Sequence, residues 1–237
     1  GPFRNGSMYL TYTNEGMPIG AFWGYKTDGL IQTQEQLNAV KRADFQPNAE
    51  LGDVLFVDTN GDGKLDSSDR CMIGNPIPDI IYGINMGMAW KGFDLNLQFG
   101  GTIGNQIFNA MRYYTYFPND ITNKDRALMN YWTPNNTNTD IPRLTATDVN
   151  DNDRFSDMYV ENGTYFRLRN AQLGYTLPAS LTQRIKLQKV RFYVSGQNLF
   201  TISSYSGMDQ SSSLSRGIDY GIYPQNISFT GGINVTF

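Results

Sequence analysis

The sequence predicts an all-β chain, and three observations predict it. Tyr 15, Phe 14 and Trp 3 stand beside Gly 24 among 237 residues, a mixture that suits many strands joined by tight turns better than helices. Several segments alternate apolar and polar side chains with the period of two that a strand imposes. No apolar run reaches the roughly 18 residues a membrane-crossing helix needs. A mean hydropathy of -0.43 leaves a strand-built membrane wall open, because such strands need only about 9–11 alternating residues.

Taken in order, residues 8–31 read as strands broken at Gly16, Gly20 and Gly24. The stretch Gln32 to Arg42 is the one helix candidate, polar, with Leu37 and Val40 at helical spacing. A short strand from Asp53 to Val57 runs into an acidic loop, residues 58–69. The strongest hairpin follows: Tyr82, Ile84, Met86, Met88 and Trp90 alternate with small or polar residues, Lys91-Gly92 turns, and Phe93, Leu95, Leu97 and Phe99 alternate again. Residues 102–162 are loop-rich, with Trp132, Pro118, Pro134 and Pro142, too long a connection for an ordinary turn and of the kind that carries function at a surface.

Strand patterns resume at Tyr165 to Leu177, where the alternation shifts phase and predicts a bulge near Asn170. Val190 to Ile202 is another strand, with Phe192 and Val194 on one face and Arg191, Tyr193 and Ser195 on the other. The chain finishes on Phe229, Gly231, Ile233, Val235 and Phe237, in phase with the apolar face. About seven strands emerge, enough for an eight-stranded barrel and far short of a large one. In a soluble sandwich the apolar face of such strands is core; in an outer-membrane barrel it faces lipid. Periodicity alone leaves both open.

Composition narrows the chemistry. A net charge of -3 and a pI near 5.0 give no electrostatic footprint for nucleic acid or an anionic membrane surface. With His 0, Ser-His-Asp and Cys-His catalysis and histidine-ligated zinc drop out. Cys71 has no partner for an intrachain disulfide and no histidine to activate it, so it reads as a packed residue. The expectation is a non-enzyme. The start at Gly1-Pro2-Phe3-Arg4 shows neither an initiator methionine nor a leader, and reads as a piece of something longer.

One motif is specific. Asp58, Asn60 and Asp62 alternate before Gly63, with Asp66 and Asp69 at positions 9 and 12, the spacing of a calcium loop. Calcium takes six to eight hard oxygens; the alternating side chains, the Lys64 carbonyl, Asp66 through water and Asp69 supply them. The shorter Asp at position 12 and the absence of a helix pair predict a lone structural loop rather than an EF-hand domain. The competing reading is an Asx-rich turn that binds nothing. Asp148, Asn150, Asn152 and Asp153 echo the spacing without its glycine and read as an ordinary acidic loop. Trp23, Tyr25, Tyr113, Tyr114, Tyr116 and Trp132 could stack on sugar rings, or equally form packing and interfacial girdles.

Ordered motifs carry a family resemblance. Residues 20–29 (GAFWGYKTDG), Gly52-Asp53 leading into DTNGDGKLDSSDR, residues 73–79 (IGNPIPD), Tyr82-Gly83, KGFDL, GNQIFN, FRLRNAQLGYTLP and VRFYVSGQNLFTI together resemble the carboxy-terminal part of SusC/RagA-type TonB-linked outer-membrane proteins of Bacteroidetes, from about Met8 to Phe237. The resemblance implies the last strands of a 22-stranded antiparallel transmembrane barrel with long extracellular loops, the plug and earlier strands lying outside residues 1–237. It implies import of oligosaccharides, or of peptides in some members, with a SusD-like surface lipoprotein as lid and the TonB complex as energy source. It also implies an outer-membrane location, and that Phe237 serves as the aromatic insertion signal. The alternative is a secreted calcium-stabilised glycan-binding β-domain.

Overall fold

The computed structural model describes residues 4–5, 8–116, 123–211 and 217–237; Pro118 and the first three residues lie outside them. Fifteen strand segments appear among the described residues: β1 (Arg4–Asn5), β2 (Met8–Tyr9), β3 (Thr11–Tyr12), β4 (Ala21–Gly24), β5 (Thr27–Leu30), β6 (Val54–Phe56), β7 (Cys71–Gly74), β8 (Ile80–Trp90), β9 (Phe93–Ile103), β10 (Gln106–Asn109), β11 (Val160–Asn162), β12 (Tyr165–Thr176), β13 (Lys189–Ser203), β14 (Ile218–Asp219) and β15 (Ser228–Thr236). The helices are α1 (Gln34–Arg42), α2 (Ala110–Thr115) and α3 (Ala179–Thr182), with single 3-10 turns besides. The all-β expectation holds. The count of seven strands was too low because pairs of two to four residues carry no periodicity to read.

The chain divides into two compact units. The first comprises residues 1–77, 106–161 and 211–222. Its strands are short and form small sheets: β3-β4-β7, β5-β6, and β11-β10-β14, in which β10 and β14 run parallel. Three apolar clusters fill it. Phe22, Phe108, Phe155 and Tyr159 centre the largest; Tyr25, Phe56 and Trp132 anchor the second; Ile31, Leu37 and Ala49 make the third. Helix α1 starts two residues later than its sequence span because Thr33 caps it: the Thr33 hydroxyl accepts from Gln36 N at 3.2 Å and the Gln36 side chain accepts from Thr33 N at 3.1 Å. The loop-rich stretch 102–162 thus contains β10, α2 and β11, and much of it is core.

The second unit, residues 78–105, 162–210 and 223–237, is one antiparallel sheet in the order β15-β13-β12-β9-β8. Its strands run 9 to 15 residues, the length that spans an apolar membrane band. Lys91 and Gly92 both take positive φ, 47° and 89°, making the two-residue turn that matches right-handed strand twist. The predicted bulge is real: register shifts between Leu168 and Asn170 against both neighbours. The edge strands β8 and β15 do not pair with each other, so the eight-stranded closed barrel is not formed.

Register fixes the two faces of this sheet. Met86 pairs with Leu97, Leu97 with Ala171, Met88 with Leu95, Leu95 with Leu173, Leu173 with Val194 and Val194 with Gly231. Directly paired residues share a face, so one face is apolar across all five strands. The other carries Asn85, Gln98, Asn96, Asp94, Gln172, Arg191 and Ser195. Short connections, Lys91-Gly92 and residues 177–188, lie at one end of the sheet; from the other end the chain leaves for residues 104–164 and 204–227.

Candidate functional site

Three places in the first unit and one in the second bear on function. The acidic loop, residues 58–69, is built from side-chain-to-amide bonds. Asp58 accepts from Gly61 N at 2.6 Å and Gly63 N at 2.8 Å, Asn60 from Asp62 N, Asp62 from Lys64 N, and Asp66 from Ser68 N. Gly61 and Gly63 both have φ of 77°, a backbone that side chains resist. Buried Asp69 closes the loop, accepting from Thr59 N and Asp66 N, each at 3.0 Å. The Gly63 amide first, then other amides, holds the Asp58 carboxyl below its ordinary value; the Ser68 amide does the same for Asp66.

The donors are the hard oxygens calcium favours, and each bonded carboxylate oxygen keeps a lone pair. Among the described residues no group of three or more His, Cys, Asp or Glu side chains is gathered so as to hold a metal ion; the Asn60 amide oxygen and the Lys64 carbonyl are donors of a different kind. As folded, the loop is satisfied by its own amides.

Beside the loop, Arg70 acts as a clamp. Its Nη2 donates to the carbonyls of Tyr9 at 2.5 Å and Trp23 at 2.8 Å, and burial lowers its pKa. The strands so tied present Trp23, half-buried, against exposed Tyr12, with ring centroids 5.1 Å apart. Tyr12 escaped the sequence reading because nothing in spacing puts residues 12 and 23 together; antiparallel pairing of β3 with β4 does.

Of the remaining aromatic candidates, Tyr114 is exposed and Tyr116 half-buried under the Arg112 guanidinium, 5.0 Å from its ring. Tyr113, Trp132 and Tyr25 are different. They are 8%, 6% and 4% exposed. Tyr113 is wedged among Phe108, Phe155 and Tyr159. Trp132 donates Nε1 to Gln32 at 2.8 Å and lies on Gly52. All three rings pack inside the first unit and present no open face for a sugar ring to stack on.

The stretch 148–153, expected to be an ordinary acidic loop, is instead built into the first unit, with Asn150 and Asn152 buried. Val54 N donates to Asn152 Oδ1, Phe56 N to Gln46 Oε1, and the Val54 carbonyl accepts from Gln46 and Asn150. Side chains thus replace the missing neighbour strand along β6, meeting the rule that buried backbone groups find partners. Asp53 anchors the end, taking Asn152 Nδ2 at 3.1 Å and Arg143 Nε at 2.7 Å.

In the second unit the decisive geometry is exposure. Met86 is 48%, Met88 58%, Val194 60% and Ile233 59% exposed on the apolar face. A soluble sandwich would bury that face; a contiguous open one of this size is a membrane or partner surface. On the polar face, Arg191 Nε reaches Asp94 Oδ2 at 2.8 Å across Gly174, where a Cβ would come within 2.3 Å of the guanidinium. Phe237 is highly exposed, beyond β15 at the short-turn end.

Comparison with known proteins agrees with this geometry. No family model matches the chain. TonB-dependent receptor P3 of Formosa agariphila is 38% identical over 237 residues, covering 94% of this chain and 22% of that protein. TonB-dependent receptor SusC of Bacteroides thetaiotaomicron is 28% identical over 194 residues, 81% of this chain and 18% of that one. A solved structure of the RagAB peptide transporter superposes with a TM-score of 0.72 at 26% identity, covering 94% of this chain and 23% of that chain. The RagAB peptide importer in its closed-closed state gives 0.71 at 25%, covering 96% and 25%. The chain therefore falls in the class of TonB-dependent outer-membrane β-barrel proteins. Within that class it is of the SusC/RagA type. It spans about a quarter or less of the length of the relatives it matches.

Proposed function

We propose that these residues are the carboxy-terminal barrel portion of an outer-membrane active importer of oligosaccharides, working under a SusD-like lipoprotein lid and driven by the TonB complex. The observation that carries the barrel assignment is the sheet whose apolar face stays open over five spanning strands. Oligosaccharide cargo is supported by Trp23 with Tyr12 and by exposed Tyr114, flat apolar rings suited to pyranose C–H faces. A second reading, peptide cargo, is favoured by the likeness to structures described as the RagAB peptide transporter. Uptake by the native host of labelled oligosaccharides against labelled oligopeptides, with and without the intact gene, decides between them. Loss of oligosaccharide uptake alone supports the first, and loss of peptide uptake alone overturns it.

We also propose calcium as a structural brace of residues 58–69, supported by the order and hardness of the donors. Terbium luminescence on the whole protein tests it: Asp58→Ala should abolish a signal that the intact loop gives. Phe237 is proposed as the insertion signal, tested by outer-membrane yield of Phe237→Ala.

A further inference from the structure

We infer that the apolar side of the sheet carries a preformed trough for one acyl chain of a phospholipid, in the leaflet at the Lys91-Gly92 end. The inference rests on the outer-membrane reading of the sheet. Two hollows of about 400 and about 500 Å3 adjoin there and share Leu173, Val194 and Gly231. Their origin is a row of missing side chains. Where β8 and β9 carry Ile84, Met86, Leu95 and Leu97, the strands beyond carry Ala171 on β12 and, on β15, Gly231 paired with Val194. Phe229 and Ile233 stand on the far side as a ridge.

Two neighbouring glycines are covered by side chains of this chain, and Gly231 is not. Gly232 faces the polar side, and a Cβ there would lie 2.6 Å from the Tyr193 hydroxyl, so Tyr193 covers it. At Gly196, Leu199 folds across at 2.7 Å. At Gly231 an added Cβ would meet nothing nearer than the Tyr193 carbonyl oxygen at 3.8 Å. The strands that carry Leu173 and Val194, β12 and β13, each have both neighbours in the sheet, and β15, which carries Gly231, is its edge.

Position selects the lipid. The trough begins within a few residues of the sheet end that carries Lys91-Gly92, within about 15 Å at the usual strand rise. Short barrel turns face the periplasm, and the leaflet on that side is phospholipid. Trp90, with Lys91 Nζ 4.8 Å from its ring centroid, marks the headgroup level, where amphipathic aromatic and basic residues sit.

The test uses the whole barrel polypeptide in phosphatidylethanolamine vesicles containing a trace of phosphatidylethanolamine with a mid-chain diazirine. After irradiation, label at Leu173 and Val194 should exceed label at Ile84 and Met86 severalfold, and Gly231→Leu should remove the excess while sparing β8. Equal label along the face, an excess that survives Gly231→Leu, or preferential label from a lipopolysaccharide probe overturns the trough. Absence of label at Ile84 and Met86 as well overturns the membrane-facing reading, and this inference with it. Heat-modifiable mobility checks folding. If Gly231→Leu does not fold, Val194→Phe narrows the trough from its wall and is held to the same outcomes.

Discussion

The two units bury their apolar side chains in opposite senses. In the first, Phe22, Phe108 and Phe155 have essentially no exposed surface and every apolar cluster found among the described residues belongs there. In the second, the long strands form no such cluster, and their Ile, Met, Leu and Phe side chains point outward from one face. The first is organised as water organises a protein, apolar groups inward. The second is organised for a solvent that is itself apolar, where backbone pairing must be internal and the outer face need not be hidden. One chain thus carries two solutions to the same constraint.

The largest effect should come from truncating the first kind of core and finding little change in the second. Phe108 touches Phe22, Tyr113, Phe155 and Tyr159, so Phe108→Ala should cost about 3–5 kcal/mol. Met86→Ala, on the outward face, should cost less than about 1 kcal/mol, because lipid fills the space and no cavity remains. Denaturant midpoints of the whole protein in bilayers, followed by hydrogen exchange in each unit, measure both. Equal costs would mean that the outward face is a buried core in the whole protein.

Charge sharpens the same contrast within two adjacent residues. Met86→Arg places a cation near the middle of the apolar face and should destabilise by roughly 2–4 kcal/mol in a bilayer. Asn85→Arg, one residue away on the polar face, should change stability little. Folding yield into vesicles checks the pair, and a tolerated Met86→Arg breaks the membrane-facing assignment.

A backbone position separates the units in another way. Gly52 has φ of 86°, and a Cβ there would lie 2.2 Å from Trp132 Cε3. Gly52→Ala combines a disfavoured backbone with a clash in the second cluster and should cost about 1–3 kcal/mol, lowering protection of β5–β6 amides while leaving β8–β9 amides unchanged. Equal loss of protection in both would show that the units unfold as one.

How much could be read from sequence differs between the units for a physical reason. The sheet was legible in detail, down to the Lys91-Gly92 turn and the bulge near Asn170, because period-two alternation and a two-residue turn are local signals. The first unit was legible only in pieces. Leu37 and Val40 announced α1, but for Trp132 and Tyr113 sequence left sugar stacking, packing and girdle roles all open, since partners that bury them, Gly52 and Phe155, lie far away in sequence. Asn150 and Asn152 looked like an idle acidic turn because a side chain standing in for a strand leaves no periodic trace. The choice between sandwich and barrel needed exposure, which alternation does not encode.

The smallest effect concerns charge in the first unit. Asp148 Oδ2 accepts from Asp153 N, but its buried Oδ1 has no hydrogen-bond partner among the described residues, and burial first of all raises its pKa above the ordinary carboxylate value. A raised pKa means that the fold disfavours the charged form. Stability therefore grows as pH falls through the folded pKa toward the ordinary value, and above the folded pKa the penalty is constant. Asp58 and Asp66 behave oppositely: their lowered pKa values stabilise the loop above the ordinary value, and that contribution is lost as pH falls through the depressed one. Asp148→Asn should therefore stabilise the first unit slightly at neutral pH, with the advantage shrinking on acidification, in a window lying above that of the acidic loop. Protection of the Val54 amide, measured against pH in the wild type and the variant, reads the difference. A constant advantage at every pH would mean that Asp148 acts through packing rather than charge.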